Sequence, residues 1–149
     1  MKQEIERRHV VGGLVVRANK IVLVQEKKKE IRGLWNLPIG GLEDQELIIK
    51  GCVREMEEES GYKVKPYKFL GLYYNPDREG KMVFKYIIVA RVIGGKLTCP
   101  DDLMDVREFT KQEYRKIPKN KFRDASVPMA IDDFFARRWY SLDVIRYYK

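Results

Sequence analysis

Glu55, Glu58 and Glu59 stand at i, i+3 and i+4, with Arg54 directly before them and Glu46 upstream. If residues 46 to 60 are helical, the three carboxylates project from one face and Ile49, Cys52, Val53 and Met56 form an apolar stripe on the other. Like charges at this spacing destabilise an isolated helix by roughly 0.2–0.5 kcal/mol per pair, so the arrangement calls for a cation. Arg54 lies four residues before Glu58 and can bridge to it. One guanidinium does not neutralise Glu55, Glu57, Glu58 and Glu59 together. A hard divalent ion such as Mg²⁺ suits the remaining carboxylate oxygens and keeps exchangeable waters for a phosphate substrate to displace. A bare ExxEE pattern is more often a solvated acidic face, and the wider spacing must decide between the two.

That spacing is specific. The chain runs Gly40, five residues, Glu46, seven residues, then Arg54-Glu55-Met56-x-Glu58-Glu59-x-Gly61-Tyr62. It resembles the Nudix box of the Nudix (MutT-like) hydrolases, G-x5-E-x7-R-E-U-x-E-E-x-G-U with U a bulky apolar residue, at every specified position but the last, where Tyr62 replaces an aliphatic side chain. The approach Trp35-Asn36-Leu37-Pro38-Ile39-Gly40 is similar to the family's W-x-x-P-G-G, with Ile39 at a usual glycine. Asp101 to Phe109 is similar to a family segment, E-I-x-E-V-x-W-F, that returns an acidic residue toward the metal helix. Asp102 matches its first glutamate, and Glu108 replaces its tryptophan.

The resemblance implies an α/β fold, a mixed β-sheet sandwiched between helices. It also implies an activity, the cleavage by water of a diphosphate bond in a nucleoside diphosphate linked to another moiety. By the same resemblance Glu55, Glu58 and Glu59 hold Mg²⁺ or Mn²⁺, a carbonyl at Gly40 completes one ion's coordination, and Asp102 is a further ligand candidate. Arg54 orients the carboxylates, Glu58 or Glu59 takes the water's proton, and Glu46 is an anchor. Pro76, fifteen residues after Gly61, matches a spacing in ADP-ribose pyrophosphatases, whereas Gln25 to Pro38 resembles members that remove oxidised nucleoside di- or triphosphates.

Around these residues the chain predicts the elements that must position them. His9 to Arg17 and Ile21 to Gln25 read as a hairpin turning at Ala18-Asn19-Lys20, where Asn19 tolerates a positive φ. Gly12-Gly13 signals either a bulge or a close approach of another backbone. Lys27 to Arg32 forms a polar loop, so Lys27 and Arg32 are candidates to face substrate phosphates, or else an exposed basic hairpin end; Gly41 is a candidate substrate contact beside the turn. Gly61 caps the acidic helix. Tyr67 to Tyr74 and Met82 to Val92 read as strands, whose Tyr73, Tyr74, Phe84 and Tyr86 serve either a nucleobase or the sheet surface. Thr110 to Glu113 is a capping box, and Ser126 is read as the cap of a final helix through Pro128, Met129, Ile131, Phe134 and Phe135. The aromatic tail Trp139 to Lys149 must pack, on the domain or on a second subunit of a homodimer.

Composition narrows the class. The 149 residues, 44% hydrophobic, fit one domain with its own core. No apolar run approaches the ~18 residues that span a bilayer, and Cys52 and Cys99 lack metal-ligand spacing, so the expectation is a soluble cytoplasmic protein with reduced thiols. The net charge of +8 predicts anionic ligands, but the basic residues are dispersed, which disfavours a nucleic-acid footprint. Two rivals remain, a Nudix-fold module that senses a nucleotide or RNA without cutting it, and an enzyme that removes pyrophosphate from RNA 5′ ends.

Overall fold

The computed structural model describes residues 6–149; Met1–Ile5, the charged start of the chain, lies outside the described residues. Strands β1 (Arg7–Arg17) and β2 (Lys20–Glu26) form the predicted hairpin, with Ala18 and Asn19 at φ of 49° and 63°. Positive φ at both central residues gives the turn a twist that matches the strands it joins. The two strands stay paired only at Val16–Ile21 and Arg17–Lys20. Beyond that point β1 takes β4 (Ile39–Gly41) on one side and β6 (Met82–Gly95), in parallel, on the other, while β2 takes β3 (Trp35–Asn36) and β7 (Leu103–Phe109). Strand β5 (Tyr62–Pro76) closes the sheet against β6 as its edge strand. Among the described strand pairs β1–β6 alone is parallel, so the sheet is mixed.

Both faces are covered, which is why β1 reads as a continuous apolar run and not as an alternation. Helix α1 (Ile48–Ser60) packs on Val11, Val15, Ile88 and Ala90 through the fully buried Cys52 and Met56. On the opposite face α2 (Lys111–Arg115) and α3 (Ser126–Phe135) cover Leu14, Ile87 and Val89 with Tyr114, Val127, Ala130 and Ile131. This is the expected sandwich. Among the described residues no helix is long and apolar enough to cross a membrane, and both cysteines are free thiols.

Local readings from the sequence meet the structure unevenly. The capping box holds: Thr110 Oγ1 accepts from the Glu113 N–H and the Glu113 carboxylate from the Thr110 N–H, both at 3.1 Å. Gly61, at φ 82°, ends α1 with its N–H on the Glu57 carbonyl. The acidic helix, however, begins at Ile48; Glu46 precedes it, in a turn where Gln45 has φ 59°. Ser126 is not the cap of α3. Asp124 Oδ1 receives the Ser126 N–H at 2.9 Å, and Ser126 sits inside the first turn. Met129 faces solvent, 55% exposed, because α3 turns Val127, Ala130 and Ile131 to the sheet instead.

Strand β5 starts at Tyr62, earlier than its polar first residues suggested, since an edge strand can expose Lys63 and Lys65 while burying Tyr62 and Val64. The tail packs on its own chain: Trp139 meets Phe134 and Tyr67, Tyr140 bridges to Phe69, and Leu142 and Ile145 reach the α1 side.

Candidate active site

The site forms where β4 is pressed between β1 and α1. Gly12 admits the Pro38 carbonyl and Ile39 into space a Cβ would fill, and the Gly13 N–H donates to that carbonyl at 3.1 Å. Of the two readings of Gly12-Gly13, close backbone approach is the one realised, on both sides, since Ile88 fills the corresponding space at Gly13. The carboxyl group of Glu55 lies directly against Gly40, where any side chain would collide with it. At Gly51 an added Cβ would meet Glu46 Oε1 at 2.8 Å and Val11 Cγ2 at 3.0 Å, so this glycine lets the helix approach both the sheet and the Glu46 turn.

Arg54 ties these pieces together. Its Nε donates to Glu46 Oε2 at 2.6 Å and its Nη2 to Glu46 Oε1 at 2.9 Å, a two-pronged pair. Nη2 also donates to the Gly41 carbonyl at 3.1 Å, and Nη1 to Glu55 Oε1 at 2.8 Å and Glu58 Oε2 at 3.3 Å. One guanidinium thus links the turn before α1, the end of β4 and two glutamates of the helix. The Arg54 hydrogen bonds hold the Glu46 carboxyl below its ordinary range. Glu57 leaves the cluster altogether, accepting from the Val64 N–H at 3.0 Å beside Lys63.

The three helix glutamates sit in different surroundings. Glu58 is 58% exposed. Burial pushes Glu55 upward, with Arg54 opposing. Glu59 is pushed up to about 9 by burial and then by the negative charges of Glu55, Glu26 and Asp102, against the single Ile39 N–H that it accepts at 3.1 Å. Among the described residues no three Asp, Glu, His or Cys side chains are already arranged to hold a metal ion; Arg54 Nη1 stands between Glu55 and Glu58. The donors nevertheless fit a hard divalent cation. They are carboxylate oxygens around a half-buried acid whose neighbours carry excess negative charge, and a cation is what would restore its ionisation.

A family model, the NUDIX domain, matches residues 6–130. The chain belongs to the Nudix family. It is 34% identical over 113 residues to the ADP-ribose pyrophosphatase of Methanocaldococcus jannaschii, covering 75% of this chain and 65% of that one. It is 32% identical over 84 residues to a mouse 8-oxo-dGDP phosphatase, covering 56% of this chain and 25% of the relative. The chain therefore spans under two thirds of the length of either relative. A solved Nudix hydrolase from Nitrosomonas europaea superposes with a TM-score of 0.86 at 25% identity, over 96% of this chain and 98% of that one.

Against the Nudix pattern, aspartate stands at position 102 where the segment has glutamate, and three further departures have physical explanations. Ile39, Gly40 and Gly41 all avoid positive φ, so the position that is usually glycine needs no special backbone; Ile39 contributes its N–H to Glu59 and packs its side chain on the core. The other two departures touch each other. The Tyr62 hydroxyl donates to Glu108 Oε1 at 3.1 Å, and Arg17 donates to both oxygens of Glu108 at 2.8 and 2.7 Å while lying 5.9 Å from the Tyr62 ring centre. A phenol and a carboxylate stand where the family has two apolar groups, and Arg17 completes the exchange.

The remaining candidates are placed as follows. Asp102 is exposed in the turn before β7, close enough to Glu59 to repel it. Lys27 Nζ donates to the Asp101 carbonyl at 2.8 Å and Arg32 Nη1 to the Lys27 carbonyl at 3.2 Å, so both are attached to the rim near Asp102. Gly41 is exposed, its carbonyl on Arg54. Sequence reasoning missed Glu26 and Asn36. Glu26, at the end of β2 where it pairs with Leu103 of β7, is close enough to Glu59 to repel it, and its Oε1 accepts from the buried Asn36 amide at 3.0 Å. Adjacent to a lysine run, Glu26 gave no signal of its own.

Proposed function

We propose that this chain is a metal-dependent Nudix pyrophosphohydrolase acting, as one unit over residues 1–149, on a small nucleoside diphosphate linked to another group. The observation that carries the reading is the Arg54 tether, which holds Glu55 and Glu58 beside a Glu59 that is half-buried among like charges. A structural acidic face would have no reason to bury a carboxyl with Glu26, Glu55 and Asp102 around it. Bound Mg²⁺ or Mn²⁺ would be held by Glu55, Glu58 and Glu59, with Gly40 and Asp102 as further donors; it would polarise phosphoryl oxygens and lower the pKa of water.

The chain's own residues do the rest. Arg54 keeps Glu55 and Glu58 on the side of α1 that faces β4, and the Ile39 N–H orients Glu59. Glu58, open to solvent, or Glu59 accepts the proton of the attacking water. Lys27, Arg32 and Gly41 line the rim where the rest of the substrate would lie. An ADP-ribose-like substrate is the first reading, supported by the name of the archaeal relative and by Pro76. Oxidised nucleoside di- or triphosphates are the second, supported by the name of the mouse relative.

The deciding experiment assays ADP-ribose, 8-oxo-dGDP, 8-oxo-dGTP, unmodified nucleotides and a 5′-triphosphorylated oligonucleotide with Mg²⁺. The expected result is AMP and ribose 5-phosphate from ADP-ribose, or the monophosphate from an oxidised nucleotide, abolished by EDTA. Binding of any of these without turnover would instead favour a nucleotide sensor, and preferential turnover of the oligonucleotide an RNA-end enzyme.

A further inference from the structure

Glu26 is held more firmly than the end of a strand before a basic loop requires. Its N–H donates to the Leu34 carbonyl and its carbonyl accepts from the Gly33 N–H, both at 2.8 Å, which closes the loop that follows β2. Its Oε1 accepts from Asn36 Nδ2 at 3.0 Å. Asn36 is only 8% exposed, and its Oδ1 takes the Leu37 N–H at 2.9 Å, so the amide presents its NH2 group to Glu26. Backbone and carboxylate are thus both fixed.

The charge of Glu26 is not neutralised in the same way. Lys27, Lys28 and Lys29 follow it in sequence, yet among the described residues no lysine or arginine pairs with its carboxylate. Lys27 donates to the Asp101 carbonyl instead. An amide orients a carboxylate without cancelling its charge, and this one stands close enough to Glu59 to repel it, with Glu55 and Asp102 adding to the repulsion. Arg54 makes its ion pairs with Glu43, Glu46, Glu55 and Glu58, not with Glu59 or Glu26. A purely structural anchor at position 26 would be served as well by glutamine, which accepts the same bond from Asn36 and sets no charge beside Glu59. A carboxylate kept there against local stability marks a residue with a functional partner.

We propose that Glu26, held by Asn36, is a positioning residue of the cation centre: its fixed negative charge beside Glu59 tightens the hold on the divalent ion. This role presupposes the metal-dependent hydrolase proposed above, and it adds a residue from outside the Gly40 to Tyr62 pattern. Arg54 compensates Glu46, Glu55 and Glu58; the cation compensates Glu59 and Glu26. Asn36 keeps the Glu26 carboxylate from swinging out toward Lys27, Lys28 and Lys29, where an ammonium group would cancel its charge.

Calorimetric titration of Mn²⁺ into the wild type and Glu26→Gln, beside thermal melts in EDTA, tests this. Glu26→Gln should raise the Mn²⁺ Kd about tenfold, the lower end for a group that supports a metal ligand, and should melt in EDTA no lower than the wild type. The Mg²⁺ concentration for half-maximal turnover should rise by a similar factor, with kcat at saturating Mg²⁺ nearly unchanged. Glu26→Asp, which keeps the charge, should lose less affinity than Glu26→Gln. Equal Mn²⁺ affinity in the wild type and Glu26→Gln overturns the role of Glu26 and leaves the metal-dependent reading standing. A wild type that binds no Mn²⁺ overturns both. If Glu26→Gln does not fold, carboxyl carbon NMR spectra of the wild type decide. A Glu26 signal that moves with added Mg²⁺ supports the role, and one that stays while the Glu59 signal moves refutes it.

Discussion

Replacing Glu59 by glutamine should stabilise the metal-free protein, and by an amount that depends on pH. In the folded chain burial, then the charges of Glu55, Glu26 and Asp102, push the Glu59 carboxyl up to about 9, against 4.5 for an ordinary glutamate, which we take for the unfolded chain. Below the lower value it is protonated in both states and costs nothing. Between the two values the folded state holds a proton that the unfolded state releases, so stability falls steadily as pH rises and the loss is complete above the upper value. At pH 7 the difference spans about 2.5 pH units at 1.36 kcal/mol each, a ceiling of about 3 kcal/mol. Glutamine retains an acceptor for the Ile39 N–H and carries no charge. A gain of about 2 kcal/mol at pH 7 would raise Tm by roughly 4–8 °C in a chain of this size. The assay is thermal melting of wild type and Glu59→Gln in EDTA at pH 5, 7 and 8.5, with the gap smallest at pH 5, at roughly 0.7 kcal/mol, and widening as pH rises. Added Mg²⁺ should then stabilise the wild type and close the gap. A variant less stable than wild type, or a gap that does not change with pH, would refute the view that Glu59 is an uncompensated acid awaiting a cation.

Glu58→Gln should reduce kcat at least ~10²-fold, the lower end for a lost base or ligand, with little change in Tm because the side chain is exposed. Steady-state kinetics beside a melt checks both. Gly40→Ala should lower kcat/KM at least tenfold by driving a methyl group into the Glu55 carboxyl, and a fully active variant would show that Glu55 is free to move. Tyr62→Phe should cost about 0.5–1.5 kcal/mol for its single hydrogen bond, with no effect on kcat; in Glu108→Gln, where Arg17 loses its ion pair, the cost of Tyr62→Phe should shrink, and a double-mutant cycle in urea measures this.

Among these residues, those legible in the sequence owe their role to near neighbours along the chain. The capping of α2 needs only Thr110 and Glu113, three residues apart. The Ala18-Asn19 turn needs two residues, and the Arg54 contacts to Glu55 and Glu58 lie within one helical turn. The pattern from Gly40 to Tyr62 was legible for the same reason: a helix converts its spacing into a face, and the face into a charge cluster. Glu46 lies outside the helix although the spacing predicts it within, because nothing local announces that Gln45 adopts a left-handed conformation there. Ser126 has the residue type of a cap, but Asp124, two residues earlier, outcompetes it with a charged acceptor.

The family and the acidic helix face, and with them the expectation of a cation, follow from residue types at short, fixed separations. Strand order and packing alone bring Glu26 near Glu59, join Tyr62 and Glu108 through Arg17, and make β5 the edge of the sheet. Those outcomes depend on strand order and register, which bring residues tens of positions apart to within hydrogen-bonding distance. At Glu26 itself the β2–β7 register shifts, so that it pairs with Leu103 directly after Gln25 pairs with Asp105.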